Sequence, residues 1–316
     1  MIKITTNINP QTKLQDLCLL GSHNAGTYGL TGEMGIAPDL IHLRGFLNSC
    51  TMTALKCLLI GFVIDWIIRK IVFRFSQTQT LDITNQLNLG VRFFDLRIGV
   101  DSEKNFRVCH GLYGPTIQEI LRPIESFLDA HPQEVVLLDF QHLFEYNGDS
   151  MRAETTENLM KIVNEILKSK IADSSFGMDA TLADLRSREK QVLIFCKKSD
   201  TDQDICWDRD QCMQSTWHNQ PNWQGLEKAL NSQIAANQKF FVVQAIITPN
   251  SDQQGCCSQI FSLIPSILSA AETVNERLLS WQRENPAKKC ILMTDKVESL
   301  AQQIIPRFNR HLAHSN

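Results

Sequence analysis

The chain has 316 residues, 43% of them hydrophobic, and a formal charge of -3 at pH 7. This size allows one large domain or two ordinary ones. The weak negative charge argues against a nucleic-acid-binding protein, which needs a basic surface to neutralise phosphates. It does not exclude an anionic lipid as ligand, because a lipid site needs only local positive charge.

The ten cysteines are scattered and form no CxxC pair or Cys/His comb, so a zinc site is not expected. The first residues lack the basic and then apolar pattern of a signal sequence. We therefore expect a cytoplasmic protein with reduced thiols.

Short apolar runs alternate along the chain with helical patterns. The runs are nearly continuous in apolar character, which is typical of strands buried on both faces. They predict strands at 17–20, 91–98, 106–109, 135–140, 192–196, 240–247 and 290–293. Helical spacing predicts helices at 116–130, 153–168, 224–236, 259–281 and 296–305, and Pro123 would kink the first of them.

This alternation predicts a single α/β domain over residues 1–316, because no repeat or low-complexity linker divides the chain. A closed (β/α) barrel is favoured over a doubly wound sheet, since no glycine-rich dinucleotide turn is present. The sequence also lacks a GxxxxGK phosphate loop and a GxSxG elbow.

Polar residues stand in or directly after several predicted strands, where a barrel of this type places its chemistry. They are His23, Asn24, Asp95, Arg97, His110, Asp139, Gln141 and Asp295. Each alone is more often structural: a single His is usually hydrogen-bonded, and an Asp-x-Arg is commonly a local ion pair. Together they favour an active site, because converging ionisable groups are costly to bury.

These residue types suit phosphodiester cleavage by acid and base. A neutral His takes a proton from a hydroxyl, and a protonated His gives one to the leaving oxygen. A guanidinium stabilises the phosphoryl oxygens through paired hydrogen bonds.

The segments GSHNAGTY, GVRFFDLRI, VCHGLYG and HPQEVVLLDF resemble the X domain of phosphatidylinositol-specific phospholipase C. The resemblance is closest to the eukaryotic proteins that consist of an X domain alone. QVLIF at 191–195 and VVQAIITP at 242–249 are similar to the same group. The resemblance implies a distorted TIM-type barrel and a phosphoric diester hydrolase that cleaves phosphatidylinositol to diacylglycerol and a cyclic inositol phosphate.

The resemblance also implies roles for individual residues. His23 corresponds to the general base, His110 to the general acid, and Arg97 to the phosphate-binding arginine of metal-independent bacterial members. Asp295 is similar in place to the carboxylate that orients the base. Asn24 stands where bacterial members have an Asp that supports the acid, so we expect a lower His110 pKa and slower turnover.

Calcium-dependent members of this family hold Ca²⁺ through oxygen ligands. At the corresponding positions Asn24 and Asp95 keep oxygens, whereas Arg97 and Gln141 replace acids. We therefore expect no metal and no Ca²⁺ requirement. Asn24, Asp95 and Gln141 are then expected to contact substrate.

An apolar insert covers about 46–76. Its stretch 55–75 is a poor transmembrane span because Asp65, Arg69 and Lys70 interrupt it. One interpretation is an interfacial helix that buries Phe62, Trp66 and Ile67 in lipid, with Lys56, Arg69, Lys70 and Arg74 near headgroups. The other is a helix packed on the barrel or in a dimer contact.

The expected partners are a phosphatidylinositol-type lipid and a membrane surface, and the expected location is cytoplasmic and peripheral to the membrane. The main alternative is a weak or inactive phosphoinositide-binding protein on the same fold, suggested by Asn24. A glycerophosphodiesterase would need more acidic metal ligands. Trp207, Trp217 and Trp223 are interpreted as loop anchors or substrate rim, and His142, His311 and His314 as structural or solvent-exposed residues.

Overall fold

The computed structural model describes residues 2–49, 51, 53, 60–197, 204–236, 238–248, 266–285 and 290–313, with side chains as far as 306. The strands are β1 Leu19–Ser22, β2 Thr31–Ile36, β3 Val91–Val100, β4 Phe106–His110, β5 Leu112–Thr116, β6 Val136–Phe144, β7 Val192–Cys196, β8 Cys206–Asp208, β9 Met213–Thr216, β10 Phe240–Gln244 and β11 Ile291–Thr294. The α-helices are α1 Ile41–Leu47, α2 Ile60–Ser76, α3 Ile83–Leu89, α4 Ile117–Ala130, α5 Ala153–Leu167, α6 Leu182–Ser187, α7 Arg209–Cys212, α8 Trp223–Ser232, α9 Ile267–Glu284 and α10 Glu298–Ala313.

Eight strands are parallel neighbours in the order β8-β7-β6-β3-β1-β11-β10-β9. Most of their connections carry helices, as parallel pairing requires. Among the described residues no pairing joins β8 to β9, so the ring is open there. The result is the predicted (β/α) barrel, distorted at one side.

Aromatic side chains from strands that are not neighbours meet beside this opening. Phe195 of β7 and Phe240 of β10 have ring centroids 5.0 Å apart, at an interplanar angle of 72°. Trp207 of β8 packs against Phe240 at 6.4 Å and is almost fully buried. Burial of these large rings holds the two ends of the ring of strands together where backbone pairing is missing.

A second part of the sheet is antiparallel. It is paired with the long strand β3, in the order β3-β4-β5-β2. The prediction of a strand at 106–109 is confirmed, but its placement in the barrel is wrong. Only a short turn separates it from β3, held by Asp101, which accepts hydrogen bonds from the backbone of Glu103 and Asn105. Because a parallel crossover needs a dozen or more residues, this turn permits only an antiparallel hairpin.

The seven predicted strands all occur, as β1, β3, β4, β6, β7, β10 and β11. The predicted helices occur as α4, α5, α8, α9 and α10, although 259–265 lies outside the described residues. Pro123 is accommodated inside α4, which begins with a capping box between Thr116 and Glu119. Strands β2, β5, β8 and β9 escape prediction because they are short or contain Gly, Pro and polar residues in place of an apolar run.

Helix α2 lies in the apolar insert and packs with one face on the antiparallel part of the sheet. Ile64, Ile68 and Val72 recur every four residues and contact a cluster that includes Leu30 and Leu112. This packing sets the end of α2 beside the end of β4, where His110 stands.

Candidate active site

A cavity of about 470 Å³ opens where the carboxyl ends of the barrel strands meet. Five of the residues predicted from the sequence line it, namely His23, Arg97, His110, Gln141 and Asp295. They come from five separate segments of the chain, so only folding brings them together.

His23 directly follows β1, and its backbone N–H donates to Thr294 at 3.1 Å. This bond extends the pairing of β1 with β11 and sets His23 beside Asp295. The ring Nδ1 donates to Oδ1 of Asp295 at 2.7 Å, which leaves a lone pair on Nε2. Burial alone lowers the pKa of His23, but the charge and hydrogen bond of Asp295 outweigh it and raise this pKa above its usual value.

Asn24 and Asp95 lie behind His23 and do not line the cavity. Asn24 has a left-handed backbone, with φ 43°, and its N–H donates to Oδ2 of Asp95 at 2.9 Å. Its side-chain Nδ2 donates to Nε2 of His23 at 3.0 Å. Both residues therefore lie where they position the base histidine, and neither lines the cavity in which the sequence led us to expect them to contact substrate.

His110 ends β4 and receives its support from the insert. Its Nδ1 donates to the carbonyl oxygen of Ser76, the last residue of α2, at 2.7 Å, so that Nε2 is the free ring nitrogen. The His23 and His110 ring centroids are 6.3 Å apart. Burial lowers the pKa of His110 to about 3, with a further contribution from Arg97.

Arg97 lies on the face of β3 that meets the cavity, and its neighbour in register on β6 is His142. Its Nη1 is 3.5 Å from Oδ2 of Asp39, a residue that the sequence reasoning did not single out. The Nε of Arg97 is buried and has no hydrogen-bond partner among the described atoms, whereas the side chain as a whole is 21% exposed and lines the cavity. This guanidinium is suited to bind an anion in the cavity.

The structure also decides the interpretation of His142 and of three tryptophans. His142 lines the cavity, although it was interpreted as structural, and burial and Arg97 lower its pKa to about 4. Of the three tryptophans of the 202–224 loop, Trp217 lines the cavity, whereas Trp207 and Trp223 are buried. Only the alternation of β6 could have indicated His142. For Trp217 the position at the cavity agrees with the substrate-rim interpretation, one of the two that the sequence left open.

Asp139 does not line the cavity but forms a buried ion pair with Arg209, with Oδ1 to Nε at 2.7 Å. This is the structural interpretation that the sequence left open. The side chains of His311 and His314 lie outside the described residues.

Helix α2, whose last turn lines the cavity at Phe75, presents an exposed apolar face. Phe62, Val63 and Trp66 are 58%, 57% and 60% exposed, while Ile67 is half-buried. Lys70 lies over the Trp66 ring at 5.8 Å from its centroid, and Asp65 pairs with Arg69. Lys56 lies outside the described residues. No helix in the described part of the chain is long and apolar enough to cross a bilayer.

The residues of the cavity do not fit a Ca²⁺ site. Within the described residues no three His, Cys, Asp or Glu side chains converge as metal ligands. Arg97 occupies the cavity with its positive charge, and Oδ2 of Asp95 accepts a backbone N–H of Asn24. Oδ1 of Asn24 and Oδ1 of Asp95 have no hydrogen-bond partner among the described atoms, but the guanidinium of Arg97 would repel a divalent cation held by them.

Comparison with known proteins points to one family. Residues 72–201 match the family model PI-PLC X. Human "PI-PLC X domain-containing protein 3" is 28% identical over 275 residues, which cover 84% of this chain and 77% of that protein. "Variant-surface-glycoprotein phospholipase C" of Trypanosoma cruzi is 25% identical over 294 residues, 85% of this chain and 72% of that protein. A solved phosphatidylinositol-specific phospholipase C of Staphylococcus aureus superposes with a TM-score of 0.64 at 14% identity and 96% coverage of both chains, which confirms the predicted barrel fold.

Proposed function

This chain belongs to the PI-PLC X-domain family, and on that premise we propose that it is a phosphoric diester hydrolase of the phospholipase C type. It cleaves phosphatidylinositol to diacylglycerol and a cyclic inositol phosphate. The observation that carries the proposal is the convergence of His23, Arg97 and His110 on one cavity, with Asp295 bonded to His23.

His23 acts as the general base through Nε2. The inositol 2-hydroxyl gives its proton to this nitrogen and replaces the Nδ2 donor of Asn24, while the oxygen attacks the neighbouring phosphorus. Asp295 holds the Nδ1 proton and stabilises the imidazolium that forms. Despite burial, Asp295 raises the pKa of His23 above its usual value, which makes Nε2 a stronger proton acceptor.

His110 acts as the general acid through Nε2, which faces the leaving oxygen of diacylglycerol. The carbonyl of Ser76 fixes the ring by accepting its Nδ1 proton. Because the pKa of His110 is about 3, the ring is neutral at neutral pH before substrate binds. A negatively charged phosphate beside the ring attracts the imidazolium and raises this pKa, so we expect protonation of His110 to accompany substrate binding.

Arg97 supplies the positive charge that a metal ion supplies in calcium-dependent enzymes, so turnover requires no metal. Its guanidinium binds the phosphoryl oxygens as charge develops on them. Gln141 and His142 line the same wall and would offer hydrogen bonds to inositol hydroxyls. Arg97 is the only Lys or Arg among the described residues that line the cavity, which favours an inositol without further phosphates.

The test uses vesicles that contain phosphatidylinositol, with and without EDTA. We expect release of cyclic inositol phosphate that survives EDTA and disappears in His23→Ala. No release from any inositol lipid would refute the proposed hydrolase, and loss of release in EDTA would refute the metal-independent reaction.

A weak or inactive lipid-binding protein is the second candidate, because Asn24 replaces a carboxylate and occupies Nε2 of His23. The same experiment separates the two: vesicle binding without release of inositol phosphate favours the binding protein. Release that depends on both His23 and His110 favours the enzyme.

We also propose that the exposed face of α2 binds the membrane that holds the substrate. Its apolar side chains stand outside the cavity, and Lys70 and the exposed Arg74 are placed to meet anionic headgroups. Replacing Phe62 and Trp66 by Ala is expected to weaken binding to phosphatidylinositol vesicles by about tenfold or more, as measured by sedimentation.

Ile234→Ala is the matched control for this membrane prediction. Ile234 is 84% exposed but lies between α8 and β10, at the opposite end of the barrel from the cavity. We expect it to bind vesicles like the wild type. Equal binding by all three proteins would contradict the role of α2.

A further inference from the structure

One carboxylate, that of Asp39, contacts both Arg97 and the turn that follows His110. Its Oδ2 is 3.5 Å from Nη1 of Arg97, and its two oxygens accept the backbone N–H of Gly111 at 2.9 and 3.1 Å. The side chain is only 6% exposed, so solvent screens these contacts weakly. Asp39 therefore joins the arginine of β3 to the turn that follows His110.

The turn itself has little freedom. Gly111 has φ +69°, and a Cβ there would lie 2.4 Å from Oγ of Ser76. Its carbonyl accepts the backbone N–H of Ala37 at 2.9 Å. Residues 37–39 thus hold both the N–H and the C=O of Gly111. Since Gly111 follows His110, they also help to fix the His110 ring, which is hydrogen-bonded to Ser76 on its other side.

We infer that Asp39 is a positioning residue that orients Arg97 and moderates its charge. This inference rests on the proposed function, because it assigns Asp39 a part in that reaction. Its carboxylate keeps the guanidinium in one place against β3 while the remaining N–H groups meet substrate. It also offsets the positive charge of Arg97, which otherwise binds anions more tightly and opposes protonation of His110.

If Asp39 has this role, removing its charge tightens phosphate binding and slows turnover. Asp39→Asn keeps the size of the side chain and an oxygen for Gly111 but removes the charge beside Arg97. We expect its dissociation constant for inorganic phosphate, measured by isothermal titration at low ionic strength, to fall at least about threefold. We expect its kcat on phosphatidylinositol to fall about tenfold or more, because Arg97 is less well oriented and His110 is harder to protonate.

Asp101→Asn is the matched control. Asp101 also pairs with an arginine, Arg107, at 2.7 Å and accepts backbone N–H groups, but neither of the two lines the cavity. It is expected to leave phosphate affinity and kcat unchanged. Melting temperatures of both variants identify any loss of folding.

Unchanged phosphate affinity in folded Asp39→Asn, or a parallel loss of affinity and turnover, would overturn the inference. Tighter phosphate binding together with slower turnover supports it. Phosphate binding is measured without turnover, so the two proposals can fail separately. A wild type that releases no inositol phosphate would refute the proposed function, while the phosphate affinity of Asp39→Asn would still test the electrostatic role of Asp39.

Discussion

His110→Ala is expected to lower kcat on phosphatidylinositol by about 10²- to 10⁴-fold, the range for loss of a general acid. The alkoxide of diacylglycerol is a poor leaving group and needs a proton as the bond to phosphorus breaks. His110 is placed to give it, since its Nδ1 is bonded to the Ser76 carbonyl and its Nε2 is free. The measurement is the initial rate of cyclic inositol phosphate release from vesicles at saturating lipid.

A substrate with a different leaving group makes this prediction specific. The 4-nitrophenyl ester of inositol 1-phosphate releases a phenolate that leaves without protonation. We expect His110→Ala to retain most of its activity on this ester, whereas His23→Ala loses activity on both substrates because the attacking hydroxyl still needs a base. Equal losses on both substrates in His110→Ala would contradict its role as the acid.

Replacing Arg97 by Gln is expected to reduce kcat by about 10²- to 10³-fold, as for loss of a donor that stabilises transition-state charge. Gln keeps a hydrogen-bond donor but no charge. Arg97→Lys is expected to recover only part of this loss, because an ammonium offers charge without the planar pair of donors. Steady-state kinetics on phosphatidylinositol measure both variants, in EDTA and with added Ca²⁺.

The control for Arg97 is Arg107→Gln. Arg107 pairs with Asp101 at 2.7 Å in the same antiparallel part of the sheet, and it does not line the cavity. Its kcat is expected to stay within about twofold of the wild type, since it is far from any developing charge. If Arg97→Gln were no slower than Arg107→Gln, Arg97 would not act on the phosphate.

Much of the barrel can be predicted because many of its strands are marked by a short apolar run in the sequence. The run at 192–196 is apolar at every position, and burial on both faces of a parallel sheet requires that pattern. The helix at 116–130 has its apolar residues on one face and its cap at Thr116. By contrast β2, with sequence TGEMGI, is half-exposed and antiparallel at the edge, so no apolar run marks it.

The sequence by itself determined which chemical groups come to the cavity, namely His23, Arg97, His110, Gln141 and Asp295. The reason is that the carboxyl ends of parallel strands meet at one end of a barrel. The hairpin of β3 and β4 brings His110 to the same cavity, although the sequence predicted β4 as a strand of the barrel.

Only the tertiary structure decided what each of these groups touches. Ser76, which supports His110, is 34 residues away in the sequence, and Asp39 is 72 residues away from Gly111. Asn24 supports His23 and not His110, because its left-handed backbone turns the amide toward the neighbouring ring. Hydrogen bonds and ion pairs depend on distances of a few tenths of an ångström between distant segments, which hydrophobic periodicity does not encode.

The tertiary structure also decided which face of helix α2 is buried. Its sequence is apolar almost all round, so the side that packs and the side that meets solvent could not be separated in advance. The structure separates them, with Ile64, Ile68 and Val72 against the sheet and Phe62 and Trp66 exposed to solvent. The neighbouring strands, and not the helix, determine which face is buried, and they do so only once the chain has folded.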